Sequence, residues 1–171
     1  AEPVTFETKP TFTLRKELPI AGADLLEFLT DYAQRPYWTD GLKQIEYNPN
    51  EVTRLGTEHT CFVNDKHLDF ITVTKQGGED QLVYGELSHS LPKIDRLYSF
   101  YVITPKSDSS CEMELEVYMQ ADSILGKLMV FMAGNMFKKV MGTALDNLEA
   151  YVHKKNAGGP IAPLSDLAAA S

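Results

Sequence analysis

His59, Cys61, His67 and Asp69 lie within eleven residues of one another, and all four are zinc-ligand types. A metal centre needs them on one side of the backbone. The Asn64-Asp65 pair between them reads as a two-residue hairpin turn, which pairs Val63 with Lys66, Cys61 with Leu68 and His59 with Phe70. Side chains alternate along a strand, so His59 and Cys61 share a face with Leu68 and Phe70. His67 and Asp69 then share the other face with Glu58, Thr60 and Phe62. No metal is expected from this register, although a three-residue loop would reunite the four. The same histidine suggests a second chemistry. His59 with Tyr98 or Cys61 could form an acid–base pair that moves a proton; the plainer reading is a core histidine bonded to a neighbour. Nucleophilic attack by Cys61 would further require a depressed pKa and a positioned base. The four arginines (Arg15, Arg35, Arg54, Arg96) fall near element ends or loops, so no internal anion anchor is expected. No Gly-rich phosphate loop joins a strand to a helix, and no cofactor is expected.

The elements that must position these residues follow from periodicity. Residues 1–11 are polar with two prolines and read as an extended arm. Phe12, Leu14, Leu18 and Ile20 give a strand signal. Leu25, Phe28 and Leu29 recur at helical spacing, with Asp24 as a candidate N-cap and Pro36 splitting the segment into two short helices. Six strands are expected at about 43–48, 57–63, 67–75, 81–89, 96–104 and 111–120, separated by Asn, Gly and Pro turns. A long helix follows from Ser123, its N-cap, to about Lys154. Val130, Ala133, Phe137, Val140, Met141, Ala144, Leu145 and Leu148 form its core stripe. Residues 155–171 read as a mobile tail after a Gly158-Gly159-Pro160 stop.

This order predicts an α+β domain over residues 12–154. A curved seven-stranded antiparallel sheet would wrap around the C-terminal helix, with two short helices after the first strand. Loop lengths extend the register. A four-residue loop at 106–109 would pair Pro105 with Ser110 and set Tyr98, Phe100 and Val102 beside Met113, Leu115 and Val117. A longer loop at 90–95 would add Val83, Leu87 and His89 to that inner face. The expected interior is thus apolar and aromatic with a few polar tips: His59, Cys61, Thr72, Tyr98 and His89. Such a composition suits a pocket for a hydrophobic or amphipathic small molecule. It equally suits a filled core.

The first half of the long helix is apolar nearly all round, and four of the six methionines lie between 129 and 141. Methionine surfaces adapt to varied apolar partners. Met129, Met132, Met136 and Phe137, with Trp38, are therefore candidate ligand contacts at the mouth of the grip. A helix apolar on every side must be covered, by the short helices around Trp38, by a ligand, or by a partner chain such as a second copy in a homodimer.

With a formal net charge of −8 and dispersed basic residues, the chain offers no stripe for nucleic acid. No apolar run approaches the roughly 20 residues that span a bilayer, so no stable membrane insertion is expected. No signal-peptide pattern is visible. Cys61 and Cys111 form no CxxC pair and read as free thiols, which fits a cytoplasmic setting.

The order of elements resembles the START/Bet v 1-like (SRPBCC) superfamily, specifically its bacterial polyketide cyclase/dehydrase-like branch. Local likenesses are Leu18-Pro19-Ile20-Ala21, Phe28-Leu29-Thr30-Asp31, Trp38 seven residues later, Gly56-Thr57 opening a strand, and Leu145-Asp146-Asn147-Leu148 in the last helix. The resemblance implies a helix-grip fold that holds lipids or other apolar molecules between sheet and helix. Some members of that superfamily are cyclases or aromatases, and others bind proteins; the alternatives for this chain are thus a cyclase/aromatase-like enzyme using polar pocket residues, or a protein-interaction module with a filled core. The Gly56-Thr57-Glu58-His59-Thr60-Cys61 string looks like a subgroup whose domain accompanies a nucleotide-cyclase-like domain. No cyclase domain is present in these 171 residues, so that chemistry is not carried over.

Overall fold

A computed structural model describes residues 6, 9–50, 55–63 and 66–164. Its elements run β1 (Phe12–Leu18), α1 (Gly22–Thr30), a 3-10 helix (Tyr32–Tyr37), β2 (Leu42–Glu46), β3 (Glu58–Val63), β4 (Lys66–Val73), β5 (Leu82–Ser88), β6 (Arg96–Ser107), β7 (Ser110–Gln120) and α2 (Ile124–Asn156). The strands make one antiparallel sheet of order β1-β7-β6-β5-β4-β3-β2, against which α2 lies. The seven-stranded, helix-gripping architecture is the one that the strand and helix spacing predicts. The Asn64-Asp65 turn and most of the 1–11 arm fall outside the described residues, as does the tail beyond 164.

Local chemistry sets the ends. Pro36 confines the segment after α1 to 3-10 geometry, whose first turn is capped by Asp31 through the Ala33 amide at 3.1 Å. Ser123 caps α2, its hydroxyl accepting from the Gly126 amide at 2.9 Å. At α1 the cap is Ala21, which makes no side-chain bond; Asp24 sits inside the first turn, where it favours the positive end of the helix dipole.

The concave face packs the core. Met113, Leu115 and Val117 of β7, and Ile103 of β6, are buried with Leu25 and Leu29 of α1 and with Leu145, Leu148 and Val152 of α2. Each such side chain contributes about 1.5–3 kcal/mol by leaving water. Glu112, Glu114 and Glu116 take the opposite parity. Arg15 pairs with the first two, at 3.6 and 2.6 Å, and Lys75 with the third.

One expected register is corrected. Ser107 pairs with Ser110 and Pro105 with Cys111, with an irregularity between Pro105 and Ser107 that leaves Lys106 as the extra residue. The hairpin closes through Asp108-Ser109 rather than through a four-residue loop. A one-residue slip reverses every side chain. Leu97, Ser99, Tyr101 and Ile103 therefore stand beside Met119, Val117, Leu115 and Met113, and Tyr98, Phe100 and Val102 lie on the convex face. Val83 and Leu87 follow them, because Val83 pairs with Val102 and Leu87 with Tyr98. His89 is exposed and bonds the Asp95 carbonyl at 2.9 Å through Nδ1.

The misplaced aromatics build a second, smaller cluster. Phe6 stacks on Tyr118 at 3.8 Å and meets Tyr98 and Phe100 edge-on, at 5.0 and 5.6 Å. Phe100 lies over Gly85, where a Cβ would come within 2.6 Å of its ring. Phe6 thus shields an apolar strip that would otherwise face water.

The two parities of β7 should separate sharply in stability. Met113→Lys would bury an unpaired charge and is expected to cost at least about 3 kcal/mol. Glu112→Gln removes one partly exposed ion pair and should cost no more than about 1 kcal/mol. Urea denaturation of both variants checks this, and equal losses would contradict the assignment of faces.

Candidate functional site

A cavity of about 390 Å³ lies between the sheet and the middle of α2. Its apolar wall is Leu68, Phe70, Leu91 and Leu97 on one side and Phe137, Met141 and Ala144 of α2 on the other. Its polar floor is Arg35, Glu86, Ser88, Ser99 and Tyr101, and Trp38 closes one end. The parity of β5 and β6 sets this floor, since Glu86 pairs with Ser99 and Ser88 with Leu97 across the sheet. Pro36 and the 3-10 turn bring Arg35 and Trp38 in from the side.

The floor is organised by one buried ion pair. The Arg35 guanidinium bonds Glu86 Oε1, and both residues are under one-tenth exposed. The Tyr84 hydroxyl donates to the same carboxylate oxygen at 2.7 Å. Arg35 also donates to Tyr84 at 3.3 Å, and Tyr32 extends the chain to Thr72 at 3.2 Å. Burial works against both charges, but their attraction prevails. It holds the Glu86 carboxyl below its ordinary range and the Arg35 guanidinium well above its own. Arg35 also lies over the Trp38 ring, 4.9 Å from its centroid. This is the internal cation that the arginine positions did not suggest.

Among the described residues, several buried polar atoms on or behind this floor have no partner. Trp38 Nε1 and Arg35 Nε are unbonded, and so are both ring nitrogens of His59. A buried donor without an acceptor costs about 1–3 kcal/mol. Arg35 and Trp38 line the cavity, but these two nitrogens are themselves closed off from its space.

His59 behaves differently from the acid–base role considered for it. Its ring is sandwiched between Tyr32 at 4.1 Å and Phe70 at 5.0 Å, and Nε2 is 3.8 Å from Glu86 Oε1. Burial lowers its pKa from 6.5 to about 4, so the imidazole is neutral near pH 7. Tyr98 lies on the opposite face of the sheet and cannot partner it. Burial pushes the Cys61 thiol up to about 12, far from a ready nucleophile. Cys61 and Cys111 are both free and buried.

The other expected site residues divide by position. Trp38, Phe70 and Phe137 line the cavity. His59, Cys61 and Thr72 share the concave face but lie behind its lining. Met113, Leu115 and Val117 are concave too, yet fully packed beneath α1 and the second half of α2. Phe100 and Tyr98 are on the convex side. Met129, Met132 and Met136 do not border the cavity, and Met132 and Met136 face solvent, as does much of Val140, a cavity-edge residue expected in the core stripe. Glu86, Ser88, Ser99 and Tyr101 were missed because the β6 register was one residue off. A lone glutamate at concave parity would have demanded a buried cation. His67 and Asp69, 2.9 Å apart, sit with Thr60 on the convex face, separated from His59 and Cys61 as the turn predicts.

The buried imidazole should shape acid stability. A histidine whose folded pKa lies below its unfolded value protonates more readily when the chain unfolds. Its contribution is complete above pH 6.5 and declines as pH falls toward 4, by about 3 kcal/mol in all. His59→Phe keeps the ring stack and should flatten the stability profile over that window, as read by denaturant titrations at stepped pH. An unchanged slope would assign the acid sensitivity to another group.

Comparison of the sequence with family models and with curated proteins finds no match. The structure, in contrast, is similar to solved ones. A norcoclaurine synthase from Thalictrum is 8% identical, with a TM-score of 0.62 over 85% of this chain and 94% of that one. Ara h 8.0201 is 15% identical, with a TM-score of 0.56 over 84% of this chain and 97% of the other. A START superfamily protein from Mycobacterium smegmatis is 15% identical, with a TM-score of 0.54 over 85% and 94%. Among the described residues, no helix is long and apolar enough to cross a membrane. At such identities the likeness is one of architecture, and with the topology above it establishes that the chain has the helix-grip fold of the START/Bet v 1-like superfamily.

Proposed function

We propose that the chain binds a hydrophobic or amphipathic small molecule, lipid-like or polycyclic, in the cavity between sheet and α2, without chemical change. The observation that carries this reading is the cavity of about 390 Å³, apolar on its walls and polar on its floor. A volume in this range suits a small ligand. A filled core would not leave this space. The ligand that fits best has an apolar body and one polar end, such as a carbonyl or hydroxyl, turned toward the Ser88, Ser99 and Tyr101 floor. A free carboxylate fits less well, because Glu86 already neutralises Arg35 and would repel a second anion.

The reading also accounts for Trp38, the sole tryptophan, which is nearly fully buried at one end of the cavity. Its emission reports occupancy directly. Titration with a polycyclic ketone or a long-chain alcohol should change that emission saturably. Ala144→Phe, which projects a ring into the cavity, should weaken the apparent affinity roughly tenfold or more, because a filled site must be vacated before ligand enters. Emission that ignores both probes in a folded protein would refute binding at this site.

A further inference from the structure

The first half of α2 carries an apolar surface that the cavity does not use. Ile124, Leu125, Leu128, Phe131, Met132 and Met136 are all more than half exposed, with Ile124 at 88% and Phe131 at 84%. They lie on the side of the helix facing away from the sheet, while Val130, Ala133 and Phe137 face inward. Large contiguous apolar surface is not left to water without a role. From Ile124 to Val140 the strip is about 24 Å long at the helical rise.

Its charge is as distinctive as its hydropathy. Between Ile124 and Leu145 the helix carries Lys127, Lys138 and Lys139 and no carboxylate, in a chain whose formal net charge is −8. All three lysines are exposed. The loop against which Gly126 packs adds an exposed Lys93. The nearest acids at this end are Asp122, which is paired with Arg96 at 3.1 Å, and Asp95, which accepts from the Asp122 amide. Lys127 and Lys138 edge the strip on one side, while exposed Asn135 and Lys139 fall within its angular span. An apolar helix face with adjoining lysines and no carboxylate is the pattern of a helix that lies in the plane of a lipid headgroup layer. A second copy of the chain fits less well, since a twofold contact on this face would gather the lysines of both copies at one interface with no carboxylate of the face to pair them.

We infer that the outward face of α2, from Ile124 to Val140, docks on a bilayer surface containing anionic lipid. Lys127, Lys138 and Lys139 meet the headgroups, and Leu128, Phe131 and Met132 enter the acyl boundary. The helix does not cross the bilayer. Val140 lies at the end of this strip and also borders the cavity, so docking would set the cavity edge against the lipid phase. The docking itself does not depend on what the cavity holds.

The test is co-sedimentation of the full chain with phosphatidylcholine vesicles, with and without phosphatidylglycerol. Binding is expected only with phosphatidylglycerol present, and it should be released by added salt. Two double variants, Phe131→Asp with Met132→Asp and Lys138→Glu with Lys139→Glu, change exposed positions. Each should keep the wild-type circular dichroism and melting temperature while weakening vesicle binding roughly tenfold or more. Equal binding to both vesicle types, or none to either, would overturn the proposal. So would a concentration-dependent dimer in sedimentation equilibrium that Phe131→Asp with Met132→Asp converts to monomer, because the face would then belong to a second copy.

Discussion

The buried Arg35–Glu86 pair is the interaction on which the site depends. It ties the 3-10 turn after α1 to the centre of β5, and so holds the short helices across one mouth of the curved sheet. Without Arg35, a carboxylate would be stranded at concave parity among aromatic rings. Removing one partner of such a pair typically costs about 3–5 kcal/mol, whereas a matched apolar replacement of both is often neutral. The pair is therefore poor evidence for stability as such. It is better evidence that this floor must stay polar. Tyr84, Tyr32 and Thr72 supply the remaining hydrogen bonds, and the ring of Trp38 takes its place over the guanidinium.

The long helix plays two parts along its length. Leu145, Leu148 and Val152 in its second half complete the core with Leu25, Leu29 and Met113. Its middle stands off the sheet, and the space beneath Phe137, Met141 and Ala144 is the cavity. The first half touches the sheet along a narrow line and turns a broad apolar side outward. Cavity and exposed strip thus share one cause: α2 is longer and more apolar than the sheet beneath it can cover.

The strand and helix spacing carried most of the architecture. Seven strands, the break at Pro36, the Ser123 cap and the pairing of Val63 with Lys66 all follow from local rules of periodicity and turn chemistry. The parity of β3, β4 and β7 was legible as well, because alternation is strong there. In β6 it was not. Tyr98, Phe100 and Val102 are as apolar as Leu97, Tyr101 and Ile103, so hydrophobic pattern could not choose between the faces, and Lys106 shifted the register by one.

The sequence by itself determined the order of the elements, the helix-grip topology they make and the separation of His59 and Cys61 from His67 and Asp69. The first and the last rest on interactions between near neighbours in the chain, whereas the topology also needs β1 to pair with the distant β7. Tertiary structure alone decided the functional geometry. Arg35 and Glu86 are fifty-one residues apart, and nothing local marks either as the other's partner. Whether an apolar side chain packs, lines a cavity or faces water depends on how far a distant element reaches over it. Met113, Phe137 and Phe131 are all apolar in the sequence, yet meet those three fates.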